Sequence, residues 1–195
     1  LSVVVNPENN WVDQMTIAEL AMIWGPDSKV TRWNQVRPEW PDKKIEMYGP
    51  GTDSGTFDYF TETINGKSGA SRPDYTANED DNMLVQGIAG DKYSLGYFGY
   101  AYYAENKDKL KVVPIVDDKT GKAVIPSSET INNGTYSPLS RPVYIYVNKA
   151  SLERPEVKDF VKYYLTEGPI LVSDVGYVPM PEADYKEGLN KIDAE

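Results

Sequence analysis

The segment Gly49-Pro50-Gly51-Thr52-Asp53-Ser54-Gly55-Thr56 gathers the groups best suited to chemistry in this chain. It falls between a predicted strand and a predicted helix. The first amide N–H groups of a helix have no partner within it and carry roughly half a positive charge. Glycines let the backbone approach a ligand closely, and Ser54 and Thr56 add hydroxyl donors. Such a set suits a tetrahedral oxyanion, bound without a cationic side chain. It is not the phosphate loop of nucleotide-hydrolysing enzymes: three residues rather than four separate Gly51 from Gly55, and no Lys follows. The same residues also read as a capped turn in which Asp53 or Ser54 is the N-cap and nothing binds.

Composition narrows the chemistry further. The chain has 195 residues, with 20 Lys plus Arg against 30 Asp plus Glu, a net charge of −10. That sign repels nucleic acid and anionic lipid. A neutral-donor oxyanion site is compatible with it. The chain has no His and no Cys. A Ser-His-Asp triad, a Cys nucleophile, an imidazole acid or base and a His- or Cys-ligated zinc are therefore excluded. No apolar run approaches the roughly 18 residues of a membrane span. Nor does the start resemble a signal peptide, because Leu1-Ser2-Val3-Val4-Val5 has no basic region before it. It reads as a buried strand placed at residue 1, so a preceding segment is expected.

The elements that must position the loop alternate between strand and helix. Leu1 to Val5 is a strand. Thr16 and Glu19 form a capping box before the helical spacing of Ile17, Leu20, Ala21 and Trp24, and Gly25-Pro26 ends that helix. Ile45 to Tyr48 is a strand and Phe57 to Ile64 a helix, followed by a Gly/Ser/Pro loop over 66–77. The acidic Glu79-Asp80-Asp81 precedes a helix from Asn82 to Ala89 and suits its N-terminus. Leu95 to Phe98 and Val112 to Val116 read as strands, with a helix from Ala101 to Asn106 between them. A hairpin and a crossing linker are expected over 117–140, then a strand from Val143 to Val147. The helix from Pro155 to Leu165 carries Val157, Phe160, Val161 and Tyr164 on one face, and a short polar helix follows Gly176 to Pro181. Alternation of this kind indicates an α/β fold.

Tyr48 to Phe60, YGPGTDSGTFDYF, resembles the anion-binding loop of the phosphate-binding proteins of bacterial ABC transporters, the PstS/SphX-like group. Other segments agree in order: Thr16-Ile17-Ala18-Glu19-Leu20, Asp80-Asp81-Asn82 with Leu84-Val85-Gln86-Gly87, Leu95 to Tyr100, and Leu139 to Ile145. The resemblance spans nearly the whole chain. It implies a class II periplasmic-binding-protein fold, in which two α/β lobes close on the ligand. Residues 1–138 would form the second lobe with its loop 49–56, and 139–195 the hinge crossing and the returning part of the first lobe. The family's Ser-Gly-Thr maps onto Ser54, Gly55 and Thr56, with Asp53 and Thr52 beside them in the loop. Where many members carry an Arg four residues before that Ser, this chain has Pro50. Arg72 is a candidate for the missing bidentate clamp. Its other reading is a loop arginine pairing with Asp74 or Asp80. Asp53 could accept a proton from a protonated oxyanion, or cap the turn.

The resemblance implies a non-enzyme that captures inorganic phosphate between its lobes and delivers it to an ABC permease, in the periplasm or at the extracellular cell surface. It implies no cofactor and no metal. Membrane attachment would come only through an N-terminal anchor preceding Leu1. Two other classes are weighed beside it. One is a phosphate-ester hydrolase with Ser54 or Thr56 as nucleophile, for which the base would have to be Asp53, Asp58 or a Lys. The other is a non-transport interaction or adhesion module on the same fold. The acidic run at 79–81 lacks the alternating oxygen ligands of a calcium loop. An apolar edge over 143–165 would favour dimerisation.

Overall fold

A computed structural model describes residues 1–193. It divides into two compact units, Leu1–Ser140 and Arg141–Glu195. The division falls after Ser140, where the sequence places it after 138. Leu139 is fully buried in the core of the first unit, its carbonyl accepts from the Leu1 ammonium, and Tyr59 Oη donates to Ser140 O.

In the first unit a five-stranded sheet is built from β1 (Ser2–Val5), β3 (Glu46–Gly49), β4 (Thr76–Ala77), β5 (Ser94–Phe98) and β6 (Lys111–Val112), in the order β4-β3-β5-β1-β6. β3 runs parallel to both β4 and β5, and β1 is antiparallel to β5 and β6. Because β1 is fully buried at every position, its β-branched run covers both faces rather than alternating. A smaller sheet joins β2 (Met15–Thr16), β7 (Ile115–Val116) and β8 (Ala123–Val124).

Each parallel strand of the large sheet leads into a helix: β3 into α2 (Gly55–Asn65), β4 into α3 (Asp81–Gly90) and β5 into α4 (Tyr100–Glu105). Three helix N-termini therefore share the carboxyl edge of this sheet, where ligands bind in open α/β folds. α1 (Ile17–Trp24) starts at the expected capping box: Thr16 Oγ1 accepts from Glu19 N at 3.1 Å, and Glu19 Oε2 accepts from Thr16 N at 2.8 Å. α1 packs on α2 through Trp24, whose ring meets Phe60, Tyr75 and Tyr97 edge-on at 5.0–5.8 Å. Phe60 and Tyr97 stack at 3.6 Å.

Several expectations change. The single strand Val112 to Val116 is two strands in different sheets, β6 and β7. Pro114 lies between them, has no N–H to continue a ladder, and offers its carbonyl to Met15 N instead. The 66–77 loop contains β4, and the linker contains α5 (Ser128–Asn132).

The second unit holds a 3-10 turn (Lys149–Glu153), α6 (Pro155–Thr166), α7 (Gly168–Leu171) and α8 (Glu182–Asp193). Its core is Leu152, Val161 and Ile192, with Val147, Val157 and Leu165 packed against them. Residues 143–147, expected as a strand, belong to none, and Val143, Tyr144, Ile145 and Tyr146 are exposed. An apolar β-branched run becomes a strand only when a neighbour completes its backbone hydrogen bonds. The apolar face expected on α6 is also only half covered: Val157 and Val161 face the core, whereas Phe160 and Tyr164 are exposed. No helix among the described residues is long and apolar enough to cross a membrane.

Candidate functional site

The 49–56 segment is a strand-to-helix turn, joining the end of β3 to the start of α2. Ser54 is the N-cap, with φ −94° and ψ 127°, and its Oγ accepts from Thr56 N at 3.1 Å. Asp53, the other candidate cap, does not fill that role, because α2 begins at Gly55 and the capping position is Ser54. As an acceptor, the Ser54 hydroxyl keeps its own proton to donate. Ser54 O accepts from Asp58 N at 3.1 Å and Gly51 O from Ser54 N at 3.3 Å, so the turn is tied at both ends. Thr52, Asp53 and Gly55 are exposed, and Ser54 and Thr56 are half-buried. The structure thus brings Thr52 to Thr56 together at one helix start.

The chain holds this turn from beneath and from the side. Gly49 is buried, and a Cβ there would stand 2.9 Å from the Tyr97 ring and 3.3 Å from the Tyr75 ring. Only a residue without a side chain lets the strand end lie on that aromatic floor. Tyr75 Oη donates to Pro50 O at 2.8 Å, and Asn78 N donates to Gly49 O at 3.1 Å. Burial, and then the Glu79 carboxylate, raise the Tyr75 phenol above its ordinary value, so it remains a donor at neutral pH. Asp53 N donates to Glu79 Oε1 at 3.4 Å.

These braces were not read from sequence. Tyr75, Asn78 and Glu79 reach the turn through β4, a two-residue strand paired Tyr48 to Thr76 and Gly49 to Ala77. Two residues show no periodicity. The one available signal was a lone aromatic, Tyr75, in an otherwise small and polar loop.

Arg72 does not join the turn. It is 4% exposed, and its guanidinium forms a double contact with Asp74, Nε to Oδ1 at 2.6 Å and Nη2 to Oδ2 at 2.8 Å. Nη1 donates to Ile23 O at 3.0 Å and Val30 O at 2.5 Å. The guanidinium holds the Asp74 carboxyl below its ordinary range. With its planar fork engaged in tying α1 to the 72–74 loop, Arg72 cannot also clamp an anion at Ser54. The loop-arginine reading with Asp74 describes it. Among the described residues, no group of three or more acidic side chains is arranged to hold a metal ion.

Known proteins share this architecture. A family model described as a PBP superfamily domain matches residues 1–167. Protein SphX of Synechocystis sp. is 50% identical over 191 residues, covering 96% of this chain and 56% of that protein. The phosphate-binding protein PstS of Staphylococcus saprophyticus is 38% identical over 194 residues, covering 99% of this chain and 59% of that protein. The crystal structure of a possible phosphate binding protein from Planctomyces limnophilus superposes with a TM-score of 0.90 at 52% identity, covering 99% of this chain and 68% of that one. The chain therefore spans somewhat more than half the length of the curated relatives it matches. With a parallel sheet edge that gathers helix starts, and a family match running through residue 167, the chain belongs to the PBP superfamily.

Proposed function

We propose that this chain captures inorganic phosphate at the Ser54-Gly55-Thr56 turn, as part of a receptor that delivers it to an ABC permease in the periplasm or at the extracellular cell surface. The observation that carries this reading is the place of the turn. Ser54 caps an 11-residue helix at the carboxyl edge of the parallel strands, where the Ser54 and Thr56 hydroxyls meet the positive end of the helix dipole. The names of two relatives, the staphylococcal PstS and the Planctomyces limnophilus protein, supply phosphate as the anion. Residues 1–140 are the lobe that carries the site. The reading is of binding and not of hydrolysis, since Ser54 Oγ serves as a helix cap and the chain has no His or Cys to activate it.

Calorimetric titration of the intact protein with phosphate tests this. Replacing Ser54 by Ala removes one hydrogen bond to a charged ligand, about 1.5–3 kcal/mol, so affinity should fall by about tenfold to a hundredfold. Loss of the cap should cost only about 1 kcal/mol of stability. An unchanged affinity in Ser54→Ala, or turnover of a chromogenic phosphate ester by the wild type, would overturn the reading.

A further inference from the structure

A carboxylate already sits against the anion turn. Glu79 Oε1 accepts from Asp53 N at 3.4 Å, and it lies so close to Gly51 that a Cβ there would stand 2.1 Å from it. Gly51 is buried, while Glu79 is an exposed side chain on the connection between β4 and α3. Asn78, next to Glu79, is fastened to the same turn by its amide, so the tether is short. We propose that Glu79 is a built-in competitor of the oxyanion, a tethered carboxylate that an incoming anion must displace from the 49–56 turn.

The inference rests on the reading of Ser54 to Thr56 as the anion site and adds a residue that regulates it. An ionised carboxylate only accepts hydrogen bonds, and here it takes the Asp53 amide, the donor next to Ser54 in the turn. Its negative charge also opposes a second anion arriving at the same turn, and nearby solvent weakens that opposition without removing it. Gly51 is the permissive element, because any larger residue would push the flexible end of Glu79 away. Two neighbouring carboxyls, Asp80 and Asp81, follow Glu79 in sequence. Burial, and then the charges of Asp80 and Glu79, raise the Asp81 carboxyl to about 6, in keeping with a concentrated negative field at this corner.

The test is calorimetric titration of the intact protein with inorganic phosphate, at low and at raised salt. Glu79→Gln keeps the shape and removes the charge, whereas Gly51→Ala keeps the charge and displaces the carboxylate. Both should tighten phosphate binding by about fivefold, the scale of one solvent-screened like-charge contact. The gain of Glu79→Gln should shrink as salt rises. If Ser54→Ala weakens binding while both new variants match the wild type or bind more weakly, the competitor role fails and the anion site stands. If Ser54→Ala leaves binding unchanged, or no protein binds phosphate, the anion site fails and the inference with it.

Discussion

In the first unit α1 and α2 meet over Trp24 and Phe60, at 1% and 0% exposure; in the second, α6 and α8 meet near Val161 and Ile192, at 5% and 9%. Phe160, one residue before Val161, is 65% exposed. Both pairs come from apolar positions at helical spacing. What differs is the cover. The first pair lies on a five-stranded sheet and shares a stacked aromatic cluster. The second pair packs, among the described residues, with Leu152 around a three-side-chain core and carries surface ion pairs such as Lys162 with Asp193 and Lys186 with Glu182. Exposed pairs of that kind contribute little, about 0–1 kcal/mol each. Helical periodicity thus reports that a helix forms, while the neighbouring elements decide how much of its apolar face leaves water.

The largest effect that would test this contrast is Trp24→Ala. Removing a fully buried indole from the aromatic cluster should cost about 3–5 kcal/mol, read as a lower midpoint in denaturant unfolding followed by Trp fluorescence. A loss below about 1 kcal/mol would mean that the cluster is not the keystone of the first unit. In the second unit, Val161→Ala removes two methyl groups from a thin core and should cost about 1.5 kcal/mol. Hydrogen exchange should then show faster opening of α6 and unchanged protection of α2. Equal loosening of both helices would erase the distinction between the units.

The smallest effect concerns the acidic residues that begin helices. In α8, Glu182 is held below its ordinary range by its bond to Lys186. In α3, Asp81 is pushed the other way, to about 6, by burial and then by Asp80 and Glu79. A carboxyl raised by folding binds its proton more tightly in the folded state, so it lowers stability as pH climbs from about 4 to about 6. The helix dipole offsets part of this. Asp81→Asn should therefore add about 1 kcal/mol at pH 7, after allowance for solvent screening, and almost nothing at pH 4. A gain that is the same at both pH values would assign the effect to packing instead of charge.

Much of the first unit was legible. The Thr16 and Glu19 box and the helix after Ser54 rest on interactions within a few residues, and each appears close to its expected bounds. The β1 run also appears close to its expected bounds, although β5 and β6 complete it from far along the chain. The break at Pro114 also had a local cause, but its outcome did not, since it depends on which sheet each half can reach. The apolar run 143–147 shows the limit most plainly. Val143, Tyr144, Ile145 and Tyr146 have strand-like composition, yet a strand is made by its partner.

The anion turn divides in the same way. The glycines, hydroxyls and N-cap that make an oxyanion site are adjacent in sequence and follow short-range rules of helix initiation, so the chain alone determined their chemistry. The tertiary structure decided that Tyr75 and Asn78 would hold the turn, that Glu79 would lie against Gly51, and that Arg72 would be buried with Asp74 instead of meeting a ligand. The contacts of Tyr75 and Glu79 with the turn join residues 25 and 26 positions apart through a two-residue strand. Their energy comes from the pairing of β4 with β3, which no local pattern of side chains encodes.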